Sequence, residues 1–315
     1  MPTPPLLVIA GATATGKTGL SLRLAEGLRS EGILAEIVSA DSRQVYRGLD
    51  IGTAKVDPAD RARVPHHGLD LVDPDRPFSV ADYADHARTA LAAIAGRQGV
   101  AILVGGTGLY LRAIARGLAT DALPSDRTVR ARIEAELVGD GVAVLAARLQ
   151  TLAPELAERV DLRNPRRVVR ALEIAELRGD TPLPAPLGYP GPVAWIGLQV
   201  ASSTHRGRIA ERARGQFAAG LLEEATRLRE RFDPALPAFS AIGYREAWAV
   251  LEGRTSIDEA IDLDVQRNVA FAKRQRTWFR TEPDIAWLDA ETDPVGPARA
   301  AIERLLGHAR TRASS

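Results

Sequence analysis

The fold is decided by residues 6–18, which read Leu6-Leu7-Val8-Ile9-Ala10-Gly11-Ala12-Thr13-Ala14-Thr15-Gly16-Lys17-Thr18. The first five residues are apolar and predict a buried parallel strand. The last eight match the phosphate-loop pattern G-x-x-x-x-G-K-[ST], and leucines at helical spacing follow from Gly19 to Glu31. A strand, a glycine-containing loop and a helix in this order predict a phosphate-binding loop at the edge of a parallel sheet.

Each residue type in this loop has a role in binding phosphate. Backbone N–H groups converge on phosphate oxygens, and the helix N-terminus adds a partial positive charge. Lys17 adds a full charge, and the Thr18 hydroxyl can hold Mg²⁺ or a phosphate oxygen. The pattern leaves open whether a phosphoryl group is transferred or a diphosphate departs. The residues predicted to bind the diphosphate are Gly11, Ala12, Thr13, Ala14, Thr15, Gly16, Lys17 and Thr18.

Strands and helices alternate beyond the loop. Short apolar runs at 37–38 and 100–104 predict two more buried strands, and the pattern at 79–95 predicts a helix that Ser79 and Asp82 cap at its start. Alternation of this kind indicates a parallel sheet covered by helices on both faces. The fold class is therefore α/β, with a phosphate-loop NTPase-like parallel sheet as its core.

The alternation of predicted strands and helices ends near residue 116. From there to about 178 the pattern is nearly all helical, a proline-rich connector follows, and a strand-like run returns at 193–198. We expect residues 1–115 and 191–315 to form the core, with a mostly helical part from 206 to 308. Residues 116–190 are expected to form a helical insertion domain.

Composition excludes several classes of protein. The 315 residues carry 41 Lys and Arg against 40 Asp and Glu, a net charge of +1, which excludes a uniformly basic nucleic-acid coat. The absence of cysteine excludes a disulfide scaffold, a thiolate zinc site and a cysteine nucleophile. We find no apolar run long enough for a membrane span, and Met1 to Pro5 do not resemble a signal peptide. A cytoplasmic enzyme is expected.

Asp41 follows the second predicted strand, so its carboxylate should lie at the carboxyl edge of the sheet, where the phosphate loop also lies. It could act as a general base or hold magnesium. The segment from Ser42 to Lys55 is polar and carries Gln44 and Tyr46, which suits a planar, hydrogen-bonding substrate such as a nucleobase.

Together with the phosphate loop, motifs spread from residue 6 to about 285 resemble the tRNA dimethylallyltransferase family, in the order that the family has them. They are Asp41-Ser42-x-Gln44-x-Tyr46-x-Gly48-x-Asp50-Ile51-Gly52-Thr53-Ala54-Lys55, His66-His67-x-Leu69-Asp70, Asp73-Pro74, Phe78-Ser79-Val80-Ala81-Asp82-Tyr83, Val104-Gly105-Gly106-Thr107-Gly108-Leu109-Tyr110, Asn164-Pro165-Arg166-Arg167-Val168-Val169-Arg170-Ala171-Leu172-Glu173, Ile242-Gly243-Tyr244-Arg245-Glu246 and Ala272-Lys273-Arg274-Gln275-x-Thr277-Trp278-Phe279-Arg280.

The resemblance implies transfer of a dimethylallyl group from dimethylallyl diphosphate to N6 of adenosine 37 in tRNA. The phosphate loop then holds a leaving diphosphate with Mg²⁺, Lys17 assists, and Asp41 is the base. Arg212 corresponds to the arginine that contacts the diphosphate, although Arg206, Arg208 and Arg214 crowd the same stretch. The insertion domain would clasp the anticodon stem-loop, and a monomer is expected.

Two basic stretches fit a tRNA backbone. Residues 267–280 carry five positive charges and no acid, and residues 159–170 carry five arginines against one aspartate. Tyr46, Tyr110 and Trp278 are predicted to be core residues. The predicted tRNA-binding residues are Asp41, Ser42, Arg43, Gln44, Thr107, Arg130, Arg166, Arg167, Arg170, Gly243, Tyr244, Arg245, Lys273, Arg274, Gln275, Arg276 and Arg280.

Three other functions would also use parts of this sequence pattern. A kinase for a small metabolite would use the loop for ATP, with Asp41 or Asp73 on magnesium. An isopentenyltransferase acting on free AMP or ATP would lack the second basic stretch. In a pure RNA-binding module, Lys17 and Thr18 of the phosphate loop would have no function.

Overall fold

The computed structural model describes residues 3–313 of the chain. Two compact units are present, one formed by Met1–Gly117 with Gly188–Ser315 and the other by Leu118–Leu187. The sequence had placed the insertion domain at 116–190. Within the described range, no helix has both the length and the apolar character that a bilayer span requires.

The larger unit is built on a six-stranded sheet in which every pairing is parallel, with the strand order β3-β2-β4-β1-β5-β6. This arrangement confirms the α/β class. The strands are β1 (Leu6–Gly11), β2 (Ala35–Ser39), β3 (His66–His67), β4 (Val100–Gly105), β5 (Val193–Gln199) and β6 (Ile285–Asp289).

Alternate residues of β1 enter the two cores on opposite faces of the sheet. Leu6 and Val8 pack into one apolar cluster, and Leu7 and Ile9 pack into the other. All four are fully buried, as expected for the central strand of a parallel sheet that helices cover on both sides. β1 therefore joins the phosphate loop directly to the buried centre of the sheet.

Helices cover both faces of this sheet and form the other unit. Ser79 caps α3 as predicted, because its hydroxyl accepts from the Asp82 N–H while the Asp82 carboxylate accepts from the Ser79 N–H. In the larger unit the helices are α1 (Lys17–Ser30), α2 (Pro58–Arg63), α3 (Val80–Gly96), α4 (Gly108–Ala115), α8 (Ser202–Ala218), α9 (Leu221–Arg231), α10 (Tyr244–Leu251), α11 (Ile257–Phe279) and α12 (Val295–Ala313). In the smaller unit they are α5 (Arg127–Leu152), α6 (Pro154–Ala157) and α7 (Pro165–Arg178).

The helices α5 and α7 form the centre of the smaller unit. α5 is interrupted at Gly141, whose φ of 81° and ψ of 166° are not helical. α7 begins at Pro165 after Asn164, whose side chain accepts from the Arg167 N–H. Leu149 of α5 and Leu172 of α7 are fully buried in the apolar core of the smaller unit.

The strand β6 was missed because 206–308 was predicted to be mostly helical. Its backbone pairs with β5 from Trp195 opposite Ile285 to Gln199 opposite Asp289. β6 lies at the edge of the sheet, and its Trp287 side chain remains 38% exposed. This strand is specified by a partner far away in the sequence, which a local pattern cannot reveal.

Candidate active site

The phosphate loop leaves β1 at Gly11 and enters α1 at Lys17. Gly11 adopts a φ of +149°, and a Cβ there would lie 2.8 Å from the Leu198 carbonyl oxygen of β5. A larger residue would push the loop away from the sheet. Gly11 therefore allows the loop to leave β1 in close contact with the backbone of β5.

Lys17 lies inside this loop, and its Nζ donates to the Ala12 carbonyl oxygen at 2.6 Å. Burial and the nearby Arg212 guanidinium lower the pKa of Lys17 from its ordinary 10.5 to about 7, although the Asp41 carboxylate opposes this shift. The amine therefore titrates near neutral pH, and an anion in the loop would favour its charged form.

Among the four crowded arginines, only Arg212 reaches the phosphate loop. Its Nη1 donates to Thr13 Oγ1 at 2.7 Å and its Nη2 to the Thr53 carbonyl at 3.4 Å. Arg206 and Arg214 are exposed, and Arg208 approaches the Ala290 carbonyl instead. Burial lowers the pKa of Arg212, against the opposing effect of Asp41 and Asp264.

Asp41 directly follows β2 and Ala40, and its carboxylate is half-buried. Its Oδ1 accepts from the Arg43 N–H at 2.8 Å, and the next residue, Ser42, donates its N–H to Thr107 Oγ1 at 3.0 Å. The Thr107 N–H in turn donates to the Ala40 carbonyl at 3.1 Å. Loops after β2 and β4 thus hold one carboxylate whose charge acts on both cations at the phosphate loop.

The Thr18 side chain is exposed in the first turn of α1. The described residues contain no group of three or more His, Cys, Asp or Glu side chains that could hold a metal ion. A single hydroxyl fits Mg²⁺ better than most metals, because Mg²⁺ commonly binds few protein ligands together with substrate phosphates and water. The donor set therefore suits an ion carried largely by a diphosphate.

Several predicted tRNA-binding side chains of the larger unit are accessible. Ser42, Arg43 and Thr107 are half-buried beside Asp41, and the Arg43 Nη1 donates to the Pro237 carbonyl at 2.9 Å. The exposed members of this set are Arg245, Lys273, Arg274 and Arg280.

Other predicted tRNA-binding residues of this unit face inward, among them Gly243 and Tyr244. Both are buried, and the Tyr244 Oη donates to Glu224 Oε1 at 2.8 Å. Burial beside that carboxylate raises the pKa of the Tyr244 phenol. No surface remains on this ring for a base or a phosphate.

The polar ends of Gln44, Gln275 and Arg276 are also used within the protein. Gln275 accepts from the Thr13 N–H at 2.8 Å and donates to the Gly106 carbonyl at 3.0 Å. Gln44 accepts from Ser39 Oγ and donates to the Thr53 carbonyl. Arg276 donates to a ring nitrogen of a histidine on α8. These three side chains therefore hydrogen-bond to other parts of the protein around the site.

In the smaller unit, a buried carboxylate engages two of the predicted arginines. Arg130 Nη2 and Arg170 Nη1 each donate to Glu173 Oε2 at 2.7 Å, and the Glu173 side chain is fully buried. Arg130 and Arg170 therefore stabilise this unit. Arg166 and Arg167 are exposed.

The aromatic predictions hold for both tyrosines. Tyr46 and Tyr110 are 7% and 5% exposed, and the Tyr110 ring stacks on Tyr83 with centroids 3.9 Å apart. Trp278 is only partly buried, and the Arg112 guanidinium lies 4.3 Å from its ring centroid.

Glu224 was not predicted as a site residue, yet it organises the segment after Asp41. Its carboxylate accepts from the backbone N–H groups of residues 50–52 at 2.8 to 3.2 Å, in addition to the Tyr244 hydroxyl. A signal was available, because Leu221, Glu224 and Leu228 fall on one helical stripe. A carboxylate on an apolar stripe indicates a buried acceptor with specific donors.

Comparisons with known proteins identify the family. The IPP transferase family model matches residues 44–282. The tRNA dimethylallyltransferase of Roseiflexus sp. (strain RS-1) is 43% identical over 303 residues, 95% of this chain and 98% of the relative. That of Thermus thermophilus is 43% identical over 89% of this chain and 91% of the relative. The crystal structure of the tRNA isopentenylpyrophosphate transferase from Bacillus halodurans superposes with a TM-score of 0.71 at 35% identity and 99% coverage of both chains. The chain therefore belongs to the IPP transferase family, together with these tRNA dimethylallyltransferases.

Proposed function

We propose that this chain transfers the dimethylallyl group of dimethylallyl diphosphate to N6 of adenosine 37 of tRNA, giving N6-(dimethylallyl)adenosine and diphosphate. One observation carries this proposal: Lys17 Nζ and Arg212 Nη1 both donate to groups of the phosphate loop, and the charge of the Asp41 carboxylate acts on both. Two cations suit a leaving diphosphate, and the carboxylate suits a base for the attacking amine. The names of the similar proteins agree with this reaction.

The reaction exchanges one bond for another. The N6 nitrogen of adenine bonds to C1 of the dimethylallyl group, and the C1–O bond to the diphosphate breaks with its electron pair on oxygen. Lys17, Arg212 and the loop amides stabilise the charge that develops on that oxygen. Asp41 takes the proton that the amine must lose, and the N–H of Arg43 holds its carboxylate in place.

Magnesium would be held by the Thr18 hydroxyl and by oxygens of the diphosphate. When bound, it supplies further charge neutralisation for the leaving group. Because Thr18 belongs to the motif proposed to hold the diphosphate, its hydroxyl would be available to the metal ion that the diphosphate brings. The divalent ion and the loop thus serve the same departing group.

The acceptor must be everted, because N6 is not accessible within a stacked anticodon loop. Ser42, Arg43 and Thr107 surround the Asp41 carboxylate and are the residues we propose to contact the everted nucleotide. Further backbone contacts are proposed for the exposed basic side chains Arg166, Arg167, Arg245, Lys273, Arg274 and Arg280. We place this activity in the cytoplasm and in a monomer, the latter testable by light scattering.

The test is incubation of the protein with labelled dimethylallyl diphosphate, Mg²⁺ and unmodified tRNA, followed by nucleoside analysis. A transcript with guanosine at position 37 and the Asp41→Asn variant are the controls. We expect label in N6-(dimethylallyl)adenosine with the wild-type protein and adenosine 37, much slower labelling with Asp41→Asn, and none with guanosine 37. Label in free AMP instead of tRNA, or transfer of the γ-phosphate of ATP, would contradict the proposal.

A further inference from the structure

Each polar group of Thr13, in the phosphate loop, is held by a different side chain from outside the loop. Its N–H donates to Gln275 Oε1 at 2.8 Å, and its hydroxyl oxygen accepts from Arg212 Nη1 at 2.7 Å. Its carbonyl oxygen accepts from His205 Nε2 at 2.7 Å. His205, on α8, is only 2% exposed, and the reaction described above gives it no part.

The His205 contact acts on a strained part of the loop. Ala14, the next residue, has a φ of +58°, a conformation that costs an alanine about 1 kcal/mol or more. Because the peptide is planar and trans, the Thr13 carbonyl and the Ala14 N–H point in opposite directions. The hydrogen bond from His205 to the carbonyl therefore also fixes the direction of the Ala14 N–H within the loop.

The hydrogen bonds also determine the state of the imidazole. A carbonyl oxygen can only accept, so Nε2 carries the hydrogen. Nδ1 lies 2.9 Å from Arg276 Nη1, which is a donor, so Nδ1 must be unprotonated. The surroundings agree, because burial lowers the pKa of His205 and the cations Arg276, Lys17 and Arg208 lower it further, against the Thr13 carbonyl. Arg276 thus selects the neutral Nε2–H form.

We propose that His205, fixed in this tautomer by Arg276, is a positioning residue that keeps the Thr13–Ala14 peptide oriented for the Ala14 N–H to bind a diphosphate. The inference rests on the proposed role of the loop in holding diphosphate. His205 itself touches the loop backbone and not the ligand, so its effect passes through one peptide group.

The first test is calorimetric titration with inorganic diphosphate in Mg²⁺ buffer. In His205→Leu the hydrogen bonds to Thr13 and Arg276 are both lost. Only the bond to Thr13 acts on the loop, so we expect diphosphate binding to weaken about fivefold to tenfold, the effect of losing one ordinary hydrogen bond. In His205→Gln the amide can donate to Thr13 and accept from Arg276, so affinity should return to within about twofold of wild type. Arg206→Leu changes an exposed neighbour on the same helix and serves as the control.

Equal affinity of wild type and His205→Leu, or no recovery in His205→Gln, would overturn the inference. These results leave the proposed function standing, whereas a wild-type protein that fails to bind diphosphate overturns both. Thermal unfolding of each variant in the absence of diphosphate shows whether the fold is retained.

The second test does not require a change at His205. Nitrogen-15 NMR of the histidine side chains should report the Nε2–H tautomer for His205 in wild type, with the signal assigned through His205→Gln. In Arg276→Leu the donor to Nδ1 and one nearby cation are gone, so the pKa of His205 should rise. An unchanged tautomer and an unchanged titration in Arg276→Leu would refute the role assigned to Arg276.

Discussion

Binding of dimethylallyl diphosphate is expected to take up a proton at Lys17. The amine has a pKa of about 7 because it is buried beside Arg212, with Asp41 opposing the shift. A diphosphate brings several negative charges into the loop, and these restore the charged form of Lys17. Proton uptake is therefore a direct measure of whether this lysine contacts the diphosphate.

The size of the effect follows from that pKa. At pH 8 a group with a pKa of about 7 is protonated in roughly a tenth of the molecules, so binding takes up about 0.9 proton. Only the protonated form binds well, so affinity decreases as pH rises. Between pH 7.5 and 8.5 the expected loss is about eightfold, whereas below about pH 6 the contribution of Lys17 is nearly independent of pH.

The assay is calorimetric titration with dimethylallyl diphosphate, without tRNA, in two buffers of different ionisation enthalpy at pH 8. Lys17→Arg is the matched variant because its guanidinium remains charged throughout this range. Protons exchanged by the ligand itself appear in both proteins and cancel in the difference. Equal proton uptake in wild type and Lys17→Arg would refute the reasoning, as would a wild-type affinity that does not change between pH 7.5 and 8.5.

Three further expectations concern the proposed base, the basic stretch 267–280 and the buried carboxylate of Glu224. Asp41→Asn should lower the single-turnover rate by roughly 10²–10⁴ while tRNA affinity is retained, and an unchanged rate would remove Asp41 from the mechanism. Replacing Lys273 and Arg274 by Gln should weaken tRNA binding and reduce its salt slope by about one per charge, with Arg206→Gln as control; an unaltered slope would show that these residues do not contact phosphates. Glu224→Gln should lower the free energy of unfolding in urea by about 2–3 kcal/mol, and Tyr244→Phe by about 1 kcal/mol, because the carboxylate accepts three backbone N–H groups and the Tyr244 hydroxyl. Equal stability of Glu224→Gln and wild type would contradict that assignment.

The parts of the fold with strong local signals could be predicted from the sequence. The strand at 6–11, the loop after it and the helix from residue 17 need only neighbouring residues to be recognised. The capping box at Ser79 is also local. β3 and β6 were not predicted. Their strand conformation depends on backbone pairing with β2 and β5, and their own residues carry no clear strand pattern.

The candidate site also has parts that the sequence predicts and parts that it does not. The loop and Asp41 lie next to recognisable strands, but the direction of a long side chain depends on elements far away in the chain. Arg267 was counted as free positive charge because residues 267–280 contain no acid, yet it forms an ion pair with Glu246 of α10. Gln275 falls on the buried stripe of Ala272 and Phe279, so its inward orientation could have been read from helical spacing.

The central claim is that the loop releases diphosphate as the adenine amine acquires the dimethylallyl group. A rapid-quench single turnover with unmodified tRNA, followed in parallel for free diphosphate and for prenylated adenosine, tests it most directly. We predict one diphosphate for each modified adenosine 37, with Asp41→Asn slowing both products equally. Diphosphate formed without modified adenosine, or modified adenosine formed at the wild-type rate by a Lys17→Ala, Arg212→Ala double variant, would contradict the account.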